Sequence, residues 1–222
     1  MILFKLDEVS RSYRIGDNVV NALDKISVTI SDGQFVAITG PSGSGKSTLL
    51  YTIGGLLTPT SGRVFFNGVD VYGLALRDRA KFRRESLGFV FQTFELLPYL
   101  TALENVMIPL ALSKVNDEEQ KIRAMECLTK VGLEKRADHK PTELSGGEQQ
   151  RVAIARGIIN HPRILLADEP TGNLDKKTGQ EIIQLIQSLK EEGITVVMVT
   201  HDQTKAEQAD RVLTMLDGSL QV

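Results

Sequence analysis

Residues 40–47, which read GPSGSGKS, constrain the fold of this chain more than any other segment. They fit the pattern G-x-x-x-x-G-K-[ST], in which a glycine-rich loop wraps its backbone around phosphate groups. The almost wholly apolar run Phe35–Thr39 precedes the loop, as expected of a strand buried on both faces of a parallel sheet, and a helix is predicted from Lys46. The order strand, loop, helix favours a phosphate-binding loop over a flexible linker of glycine and serine.

The chemistry of this loop predicts that the chain binds ATP together with Mg²⁺. Glycines let consecutive N–H groups point at phosphate oxygens, and the amino terminus of the following helix adds a favourable dipole. Lys46 is predicted to reach the β- and γ-phosphates, and Ser47 to ligate Mg²⁺. The candidate nucleotide-binding residues of the loop are Gly40, Pro41, Ser42, Gly43, Ser44, Gly45, Lys46, Ser47 and Thr48.

Two carboxylates follow a second apolar run. Residues 164–167 predict a buried strand, and Asp168 and Glu169 come directly after it. Ligands bind at the carboxyl ends of strands in open α/β sheets. We expect Asp168 to hold Mg²⁺, directly or through water, and Glu169 to take a proton from the attacking water. Alone, such a pair is a common solvated turn, but beside a complete phosphate loop it indicates a hydrolytic site.

The order of the predicted strands and helices indicates an α/β fold. The predicted strands lie at residues 3–9, 26–30, 35–39, 63–66, 89–91, 164–167, 194–200 and 211–216. The predicted helices begin at Lys46 or span residues 117–131, 149–159 and 179–192. In the helix at 117–131 we expect Ile122, Met125 and Leu128 to share one apolar face. Strands that alternate with helices predict a mainly parallel sheet, here with a helical block inserted at its middle.

Composition excludes several classes of protein. A length of 222 residues suits one substantial core and leaves little room for two independent domains. The 26 basic and 28 acidic residues give a net charge of −2, whereas a dedicated nucleic-acid binder usually has a basic excess. No apolar run approaches the roughly 20 residues needed to cross a bilayer. Residues 1–7 also lack the long apolar stretch of a secretory signal.

Cysteines and histidines are few and scattered. The single cysteine, Cys127, has no partner for an internal disulfide, which suits a reducing cytoplasm, and we expect it to be a small apolar residue on a helix. His139 and His161 are predicted to lie in loops. This distribution predicts no structural zinc site.

A second glycine-containing segment precedes the carboxylate strand. Residues 144–151 read LSGGEQQR, in which Ser145 and two glycines open a predicted helix and form another anion-binding amino terminus. The chain thus has two predicted phosphate-binding sites but only one predicted metal site. This is explained if the second phosphate-binding site serves the nucleotide of a neighbouring copy. The segment resembles the LSGGQ signature of the ATP-binding cassette family. The resemblance covers essentially the whole chain, with six motifs in the family's order.

The resemblance implies roles for four further positions. Tyr13 matches the aromatic that stacks on adenine, and Gln92 the glutamine that senses Mg²⁺ and the γ-phosphate and so is both a metal ligand and a catalytic residue. Asp175 matches the acid of a loop that crosses the dimer interface, and His201 the histidine that contacts the γ-phosphate and orients the catalytic groups. Without the resemblance, Tyr13 would more often be a packing aromatic and His201 a strand-end residue. The residues that would close over the ATP of the partner subunit are Ser145, Gly146 and Gly147.

The resemblance also implies the domain plan. It implies a P-loop NTPase core with a mainly parallel sheet, an N-terminal antiparallel β subdomain and an inserted α-helical subdomain at about residues 93–160. Together these would form a single nucleotide-binding domain over residues 1–222. Two positions depart from the usual pattern: Glu148 replaces a glutamine, and Gly157 replaces an alanine at an expected cost of about 1 kcal/mol to its helix.

Three stretches resemble the branch of the family that contains lipoprotein-release and macrolide-efflux ATPases. They are residues 87–92, 100–106 and 145–156. In that branch the cassette is often a separate polypeptide that pairs with a membrane protein, and some members transmit mechanical force instead of transporting a substrate. The resemblance implies an ATP-hydrolysing motor subunit that dimerises on ATP binding, as a homodimer or with a paralogous cassette. It would be a cytoplasmic protein that a transmembrane permease holds on the cytoplasmic face of the inner or plasma membrane.

Two other functions stay open at this point. A cell-division regulator of the same build would also need a membrane partner. A soluble cassette of DNA repair would carry a long coiled coil between the phosphate loop and the signature, and that stretch shows no sustained heptads. A cassette of translation would have two such units in one chain.

An apolar stretch after Gln92 is the candidate docking site for the membrane partner. Most of residues 94–100 are expected to pack the core of the helical block. In the family, a groove close to the matching glutamine accepts a short helix from the membrane subunit. We therefore expect one or two of Phe94, Leu97 and Tyr99 to be exposed to solvent.

Overall fold

Two sheets form the framework of the protein. A computed structural model describes residues 1–16, 18–113 and 115–221. The first sheet is antiparallel and has the strand order β2-β1-β4-β5. Its strands are β1 (Ile2–Ile15), β2 (Asn18–Ser31), β4 (Ser61–Phe66) and β5 (Val69–Asp70).

The second sheet has six strands in the order β10-β9-β3-β8-β7-β6 and is parallel except for β10. Its strands are β3 (Phe35–Thr39), β6 (Leu87–Val90), β7 (Ile164–Asp168), β8 (Thr195–Val199), β9 (Arg211–Leu216) and β10 (Ser219–Gln221). Every residue of β3, β7 and β8 is buried. The apolar runs therefore indicated central strands correctly.

Seven α-helices accompany the sheets in the described part of the chain. They are α1 (Lys46–Ile53), α2 (Leu76–Ser86), α3 (Ala102–Met107), α4 (Asp117–Lys130), α5 (Gly146–Ile158), α6 (Lys176–Glu191) and α7 (Gln203–Ala206). Short 3₁₀ helices occupy Ile108–Leu110, Glu134–Arg136 and Pro141–Glu143. The predicted α/β class is confirmed, including the antiparallel sheet and the helical stretch between β6 and β7. None of these helices is both long and apolar enough to span a membrane.

Alternate residues of the central strands face two apolar cores. On β3, Val36 and Ile38 join a core with α1 and the antiparallel sheet, whereas Phe35 and Ala37 join a core with helices α3 to α6. This alternation is the period of two that a strand imposes on its side chains. The six-stranded sheet is therefore covered on both faces, and the loops at its strand ends are left to form a site.

The predicted apolar face of α4 is wrong. Ile122 is 51% exposed and Met125 37% exposed, whereas the buried residues of this helix are Ala124, Cys127 and Leu128. Three residues turn a helix through about 300°, so a row of positions three apart drifts around the axis and cannot share one face for long. The expectation that Cys127 is a small apolar residue on a helix is confirmed, and burial raises the pKa of its thiol to about 11.

Candidate active site

The phosphate loop passes close to backbone carbonyls that leave no space for side chains. It connects the end of β3 to the start of α1, as predicted. Gly40 and Gly45 have φ angles of 145° and 101°, which glycine adopts without a steric penalty. A Cβ atom on Gly40 would lie 2.2 Å from the carbonyl oxygen of Met215, and one on Gly45 would lie 2.1 Å from that of Ala22. Both positions therefore need glycine for the loop to keep this path.

The loop encloses the side chain of Lys46, which is only 7% exposed. Its Nζ donates hydrogen bonds to the carbonyl oxygens of Gly40 at 2.9 Å and Pro41 at 2.8 Å. An ammonium group has three protons, so one is left for a phosphate oxygen. The hydroxyl of Ser44 is buried and has no hydrogen-bond partner among the described residues. Both groups fit a loop whose polar atoms are completed by a bound triphosphate.

Ser47 and Asp168 meet where α1 begins and β7 ends. The Ser47 hydroxyl donates to Oδ1 of Asp168 at 3.0 Å, and the Tyr51 hydroxyl donates to Oδ2 at 2.6 Å. Burial raises the pKa of Tyr51, and the hydrogen bond to Asp168 raises it further. A hydroxyl and a carboxylate are hard oxygen ligands, and Mg²⁺ commonly takes one or two such ligands alongside substrate phosphates. The residues present therefore fit the predicted ion.

Glu169 lies in a backbone conformation that is rare for residues other than glycine. Its φ angle is 48°, and its N–H donates to the carbonyl of Val199 at 3.0 Å. Such strain clusters at functional sites. Oε2 of Glu169 lies 2.6 Å from Nδ1 of His201, so these two predicted catalytic residues are in direct contact. They line a cleft of about 1040 Å³, in which the side chain of Glu169 is 17% exposed and that of His201 is 67% exposed.

Gln92 is joined to the segment that follows Glu169. Its Nε2 donates to Oδ1 of Asn173 at 3.3 Å, and Nδ2 of Asn173 donates to the Gln92 carbonyl at 3.0 Å. A Cβ atom on Gly172 would lie 2.7 Å from Nε2 of Gln92. Among the described residues, Gln92 forms no hydrogen bond with Ser47 or Asp168, so its role as a metal ligand stays a prediction.

A strained loop follows Gln92 and is held from α5. Phe94 and Glu95 both have positive φ angles, of 61° and 51°. The guanidinium of Arg156 donates to the carbonyl of Phe94 at 2.7 Å and also to that of Glu95. Burial lowers the pKa of Arg156. Helix α5, which begins at the signature, therefore also fixes the loop that follows Gln92.

The signature segment forms the amino terminus of α5. Ser145 is its N-cap: the hydroxyl accepts from the N–H of Glu148 at 3.3 Å, and Oε2 of Glu148 accepts from the N–H of Ser145 at 2.9 Å. The hydrogen bond from the Ser145 backbone is the main cause that lowers the pKa of Glu148. A Cβ atom on Gly147 would lie 2.4 Å from Cγ2 of Thr178. Glycine at this position lets α5 approach α6 closely, and Glu148 completes the cap.

Asp175 is the N-cap of α6. Its Oδ1 accepts hydrogen bonds from the N–H groups of Lys177 at 3.0 Å and Thr178 at 3.1 Å. Hydrogen bonding by Thr178 is the main cause that lowers the pKa of the Asp175 carboxyl. The side chain is exposed. Within one chain Asp175 thus has a structural role, and its role at a dimer interface stays a prediction.

Tyr13 lies on β1, paired with Val20 on β2, and is half-buried. The guanidinium of Arg11 lies over its ring at 4.7 Å from the centroid. One face of the ring is therefore covered by a cation, which suits a platform that stacks on a base with its other face.

Tyr51 and Arg156 were missed as site residues in the sequence. Tyr51 is four residues after Ser47 on the same helix, so both side chains lie on one face of α1. That spacing was the available signal. Arg156 lies eleven positions after Ser145, and no local pattern indicates that it reaches the loop after Gln92.

Comparisons with known proteins agree with this geometry. The family model described as "ABC transporter" matches residues 23–172. The uncharacterized ABC transporter ATP-binding protein YvrO of Bacillus subtilis is 49% identical over 218 residues, which cover 98% of this chain and 95% of that protein. The macrolide export ATP-binding/permease protein MacB of Bdellovibrio bacteriovorus is 49% identical over 213 residues, which cover 96% of this chain and 32% of that protein.

A solved structure also has the same fold. The dimeric structure of a post-hydrolysis state of the ATP-binding cassette MJ0796, bound to ADP and Pi, superposes with a TM-score of 0.91 at 47% sequence identity. The superposition covers 99% of this chain and 97% of that chain. MJ0796 is a protein of Methanocaldococcus jannaschii.

Proposed function

Because the chain belongs to the ABC transporter family of ATP-binding cassettes, we propose that it drives a separate transmembrane partner by pairing two cassettes around ATP and parting them after hydrolysis. The chain is an ATPase of this family. The observation that carries the proposal is the grouping of the two oxygen ligands, Ser47 and Asp168, with the contact pair, Glu169 and His201. Asp168 ends β7, Glu169 follows it, and His201 follows the neighbouring strand β8, whereas Ser47 lies in the first turn of α1, after β3 on the other side of β8. Ligands bind at this carboxyl edge in such sheets.

Each residue of this grouping has a part in hydrolysis. Glu169 accepts the proton of the attacking water, and the contact with Nδ1 of His201 holds its carboxylate in place. Lys46 donates to a phosphate oxygen with the ammonium proton that the carbonyls of Gly40 and Pro41 leave free. Ser47 and Asp168 would hold Mg²⁺, and the ion would supply positive charge against the phosphates.

Three further groups bind the rest of the nucleotide or sense it. Tyr13 stacks on adenine with the ring face that Arg11 leaves free. Gln92 contacts the γ-phosphate. Because two hydrogen bonds join Gln92 to Asn173, in the segment after Glu169, binding of the γ-phosphate also affects that segment. The loop residues 40–48 hold the phosphates.

The site is shared between two copies of the chain. The amino terminus of α5 carries an exposed Ser145, with Gly146 and Gly147 beside it. It forms no hydrogen bond with residues 40–48 of the same chain among those described. A helix amino terminus of this kind favours an anion. We propose that it binds the γ-phosphate on the partner subunit, with Asp175 at the interface. The similar cassette MJ0796 is dimeric.

Residues 1–222 form one nucleotide-binding domain in this proposal, with a helical subdomain at about residues 93–160. That subdomain links the signature to the loop after Gln92 through Arg156. The transmembrane partner places the cassette on the cytoplasmic face of the membrane. The MacB relative is named as an ATP-binding/permease protein, and this chain covers 32% of it.

The docking site for the partner is an apolar cleft beside the strand that leads to Gln92. Its volume is about 520 Å³. The apolar residues that line it are Leu56, Leu87, Phe89, Phe91, Ile108, Pro109 and Leu112, and its charged residues are Arg83, Arg84, Glu95 and Arg156. Leu112 is 80% exposed. Nearby in the chain, Leu97 is 37% exposed and Tyr99 67% exposed, as expected of two residues of the stretch after Gln92. Exposed apolar surface of this kind marks an interaction site.

We expect Leu112→Asp and Tyr99→Asp to abolish binding of the cassette to its membrane partner but not its ATP hydrolysis. A carboxylate at Leu112, in the cleft, or at Tyr99, in the exposed stretch after Gln92, would have to lose its water when an apolar segment docks there. Basal ATP hydrolysis should stay within a few-fold of wild type. Tagged wild-type chain should co-purify with a membrane protein that stimulates its ATP hydrolysis. Both the co-purification and the stimulation should be lost in the two variants.

Val69→Asp is the matched control, because Val69 is 52% exposed on the antiparallel sheet, outside the cleft. It should keep the partner. If Leu112→Asp and Tyr99→Asp both still bind the membrane protein as wild type does, the docking site lies elsewhere on the surface.

A further inference from the structure

Tyr51 contacts the carboxylate of Asp168, a predicted metal ligand, and no motif of the chain assigns a role to Tyr51. We propose that Tyr51 is a positioning residue that holds Asp168 in the orientation in which Asp168 and Ser47 bind Mg²⁺. The inference rests on the proposed function of Ser47 and Asp168. It concerns a residue to which the proposed function assigns no part.

The two oxygens of Asp168 each receive one hydroxyl from the same helix face. Ser47 and Tyr51 are four residues apart on α1, and their hydroxyls lie 3.0 Å and 2.6 Å from Oδ1 and Oδ2 of Asp168. Rotation of the carboxyl group would break both hydrogen bonds. Each carboxylate oxygen keeps a further lone pair for a metal ion or its water. Asp168 is thus oriented before any ion arrives.

The ring of Tyr51 is itself held in place. Its centroid lies 6.3 Å from that of Phe91, and the Phe91 ring stacks on that of Phe89 at 5.9 Å. The carbonyl of Tyr51 accepts from the N–H groups of Leu56 at 3.0 Å and Leu57 at 3.2 Å. The contact with Phe91 restrains the ring, and these hydrogen bonds fix the backbone that carries it. A positioning hydroxyl is effective only when its own side chain is held.

Outer partners of metal ligands typically change metal affinity by about 10- to 100-fold when they are removed. Tyr51→Phe keeps the ring and its contacts with Phe91 but deletes the hydroxyl. Oδ2 of Asp168 then loses its donor, and only the hydrogen bond from Ser47 to Oδ1 still restrains the carboxyl group. The effect should fall on the Mg²⁺-dependent part of nucleotide binding alone.

The test measures the affinity of a fluorescent, non-hydrolysable ATP analogue, first in EDTA and then across a Mg²⁺ titration. We expect Tyr51→Phe to bind the analogue in EDTA as wild type does and to need about 10-fold more Mg²⁺ for half-saturation. Tyr72→Phe is the matched control. The Tyr72 hydroxyl lies 2.6 Å from the carbonyls of Thr52 and Leu57, near the end of the same helix, and has no contact with Asp168. It should leave the Mg²⁺ requirement unchanged even if it lowers the melting temperature.

A second arm asks whether Tyr51 acts through Asp168. In an Asp168→Asn background, adding Tyr51→Phe should change the Mg²⁺ requirement no further. Wild-type binding that ignores Mg²⁺ would overturn the metal site itself, and with it this inference. A wild-type Mg²⁺ requirement that Tyr51→Phe leaves unchanged would overturn the role of Tyr51 alone. Equal weakening in EDTA and in Mg²⁺ would show a structural role and would overturn it too.

Discussion

Glu169→Gln is expected to abolish nearly all ATP turnover while ATP still binds. The amide has almost the shape of the carboxylate but cannot accept the proton of the attacking water. General base catalysis typically contributes about 10²- to 10⁴-fold, so the turnover number should fall by at least about 100-fold. Phosphate release under saturating Mg-ATP measures turnover, and equilibrium binding of labelled ATP measures affinity.

Glu181→Gln provides the control for this experiment. Glu181 lines the same cleft as Glu169 and contacts Arg151 at 3.1 Å, so its replacement alters the charge of the cleft without touching the pair with His201. It should keep turnover near that of wild type. Near-normal hydrolysis by Glu169→Gln would remove Glu169 as the base.

Mixing two inactive variants is expected to restore activity. Lys46→Ala and Ser145→Arg each break both sites of their own homodimer, the first at the phosphate loop and the second at the signature. In a mixed dimer both defects fall in one site, and the other site is intact. Random pairing of equal amounts makes half of the dimers mixed, each with one intact site of two, so about a quarter of wild-type activity should return if one site acts alone.

Loss of the N-cap has to be separated from loss of a shared site. Ser145→Arg removes a cap that is typically worth about 1 kcal/mol. Asn116→Arg removes the cap of α4, where Asn116 accepts from the N–H of Glu119 at 2.9 Å, and so tests the same loss elsewhere in the helical block. This variant should stay active by itself. Full activity of Ser145→Arg alone would refute the sharing.

The sequence predicted the parts of the site that follow from local patterns. The strand Phe35–Thr39 has the predicted bounds, and α1 begins at Lys46 as predicted. The carboxylates Asp168 and Glu169 stand at and just after the end of β7. Each of these features combines an apolar run with a change of residue type at its end, and both are visible without knowledge of the tertiary fold.

Other elements left little or no such pattern. Helix α2 buries none of its residues, so it has no apolar stripe to detect. Strands β1 and β2 extend to Ile15 and back to Asn18, well beyond the predicted segments. The outer half of β1 is mainly polar, and that of β2 exposes Val19 and Val20, so neither shows the apolar alternation that marks a strand. Burial on α4 follows Ala124, Cys127 and Leu128, and two of these are too small to dominate a hydrophobicity pattern.

Contacts between residues that are far apart in the chain also could not be predicted from the sequence. The hydrogen bond from Tyr51 to Asp168 joins residues 117 positions apart, and that from Arg156 to Phe94 joins residues 62 positions apart. The left-handed backbone of Glu169 follows from the tertiary fold and not from its residue type. The role of His201 was implied only by resemblance to a family, and the structure supplied its contact with Glu169.

The mass of Glu169→Gln in solution tests the shared site most directly. The chain has a mass of 24.4 kDa, and without nucleotide it should sediment as one copy. With Mg-ATP the variant cannot hydrolyse the ligand that joins its two copies, so its mass should double in sedimentation equilibrium and fall back when ATP is replaced by ADP. A variant that binds Mg-ATP with unchanged affinity yet stays at 24.4 kDa would contradict the account.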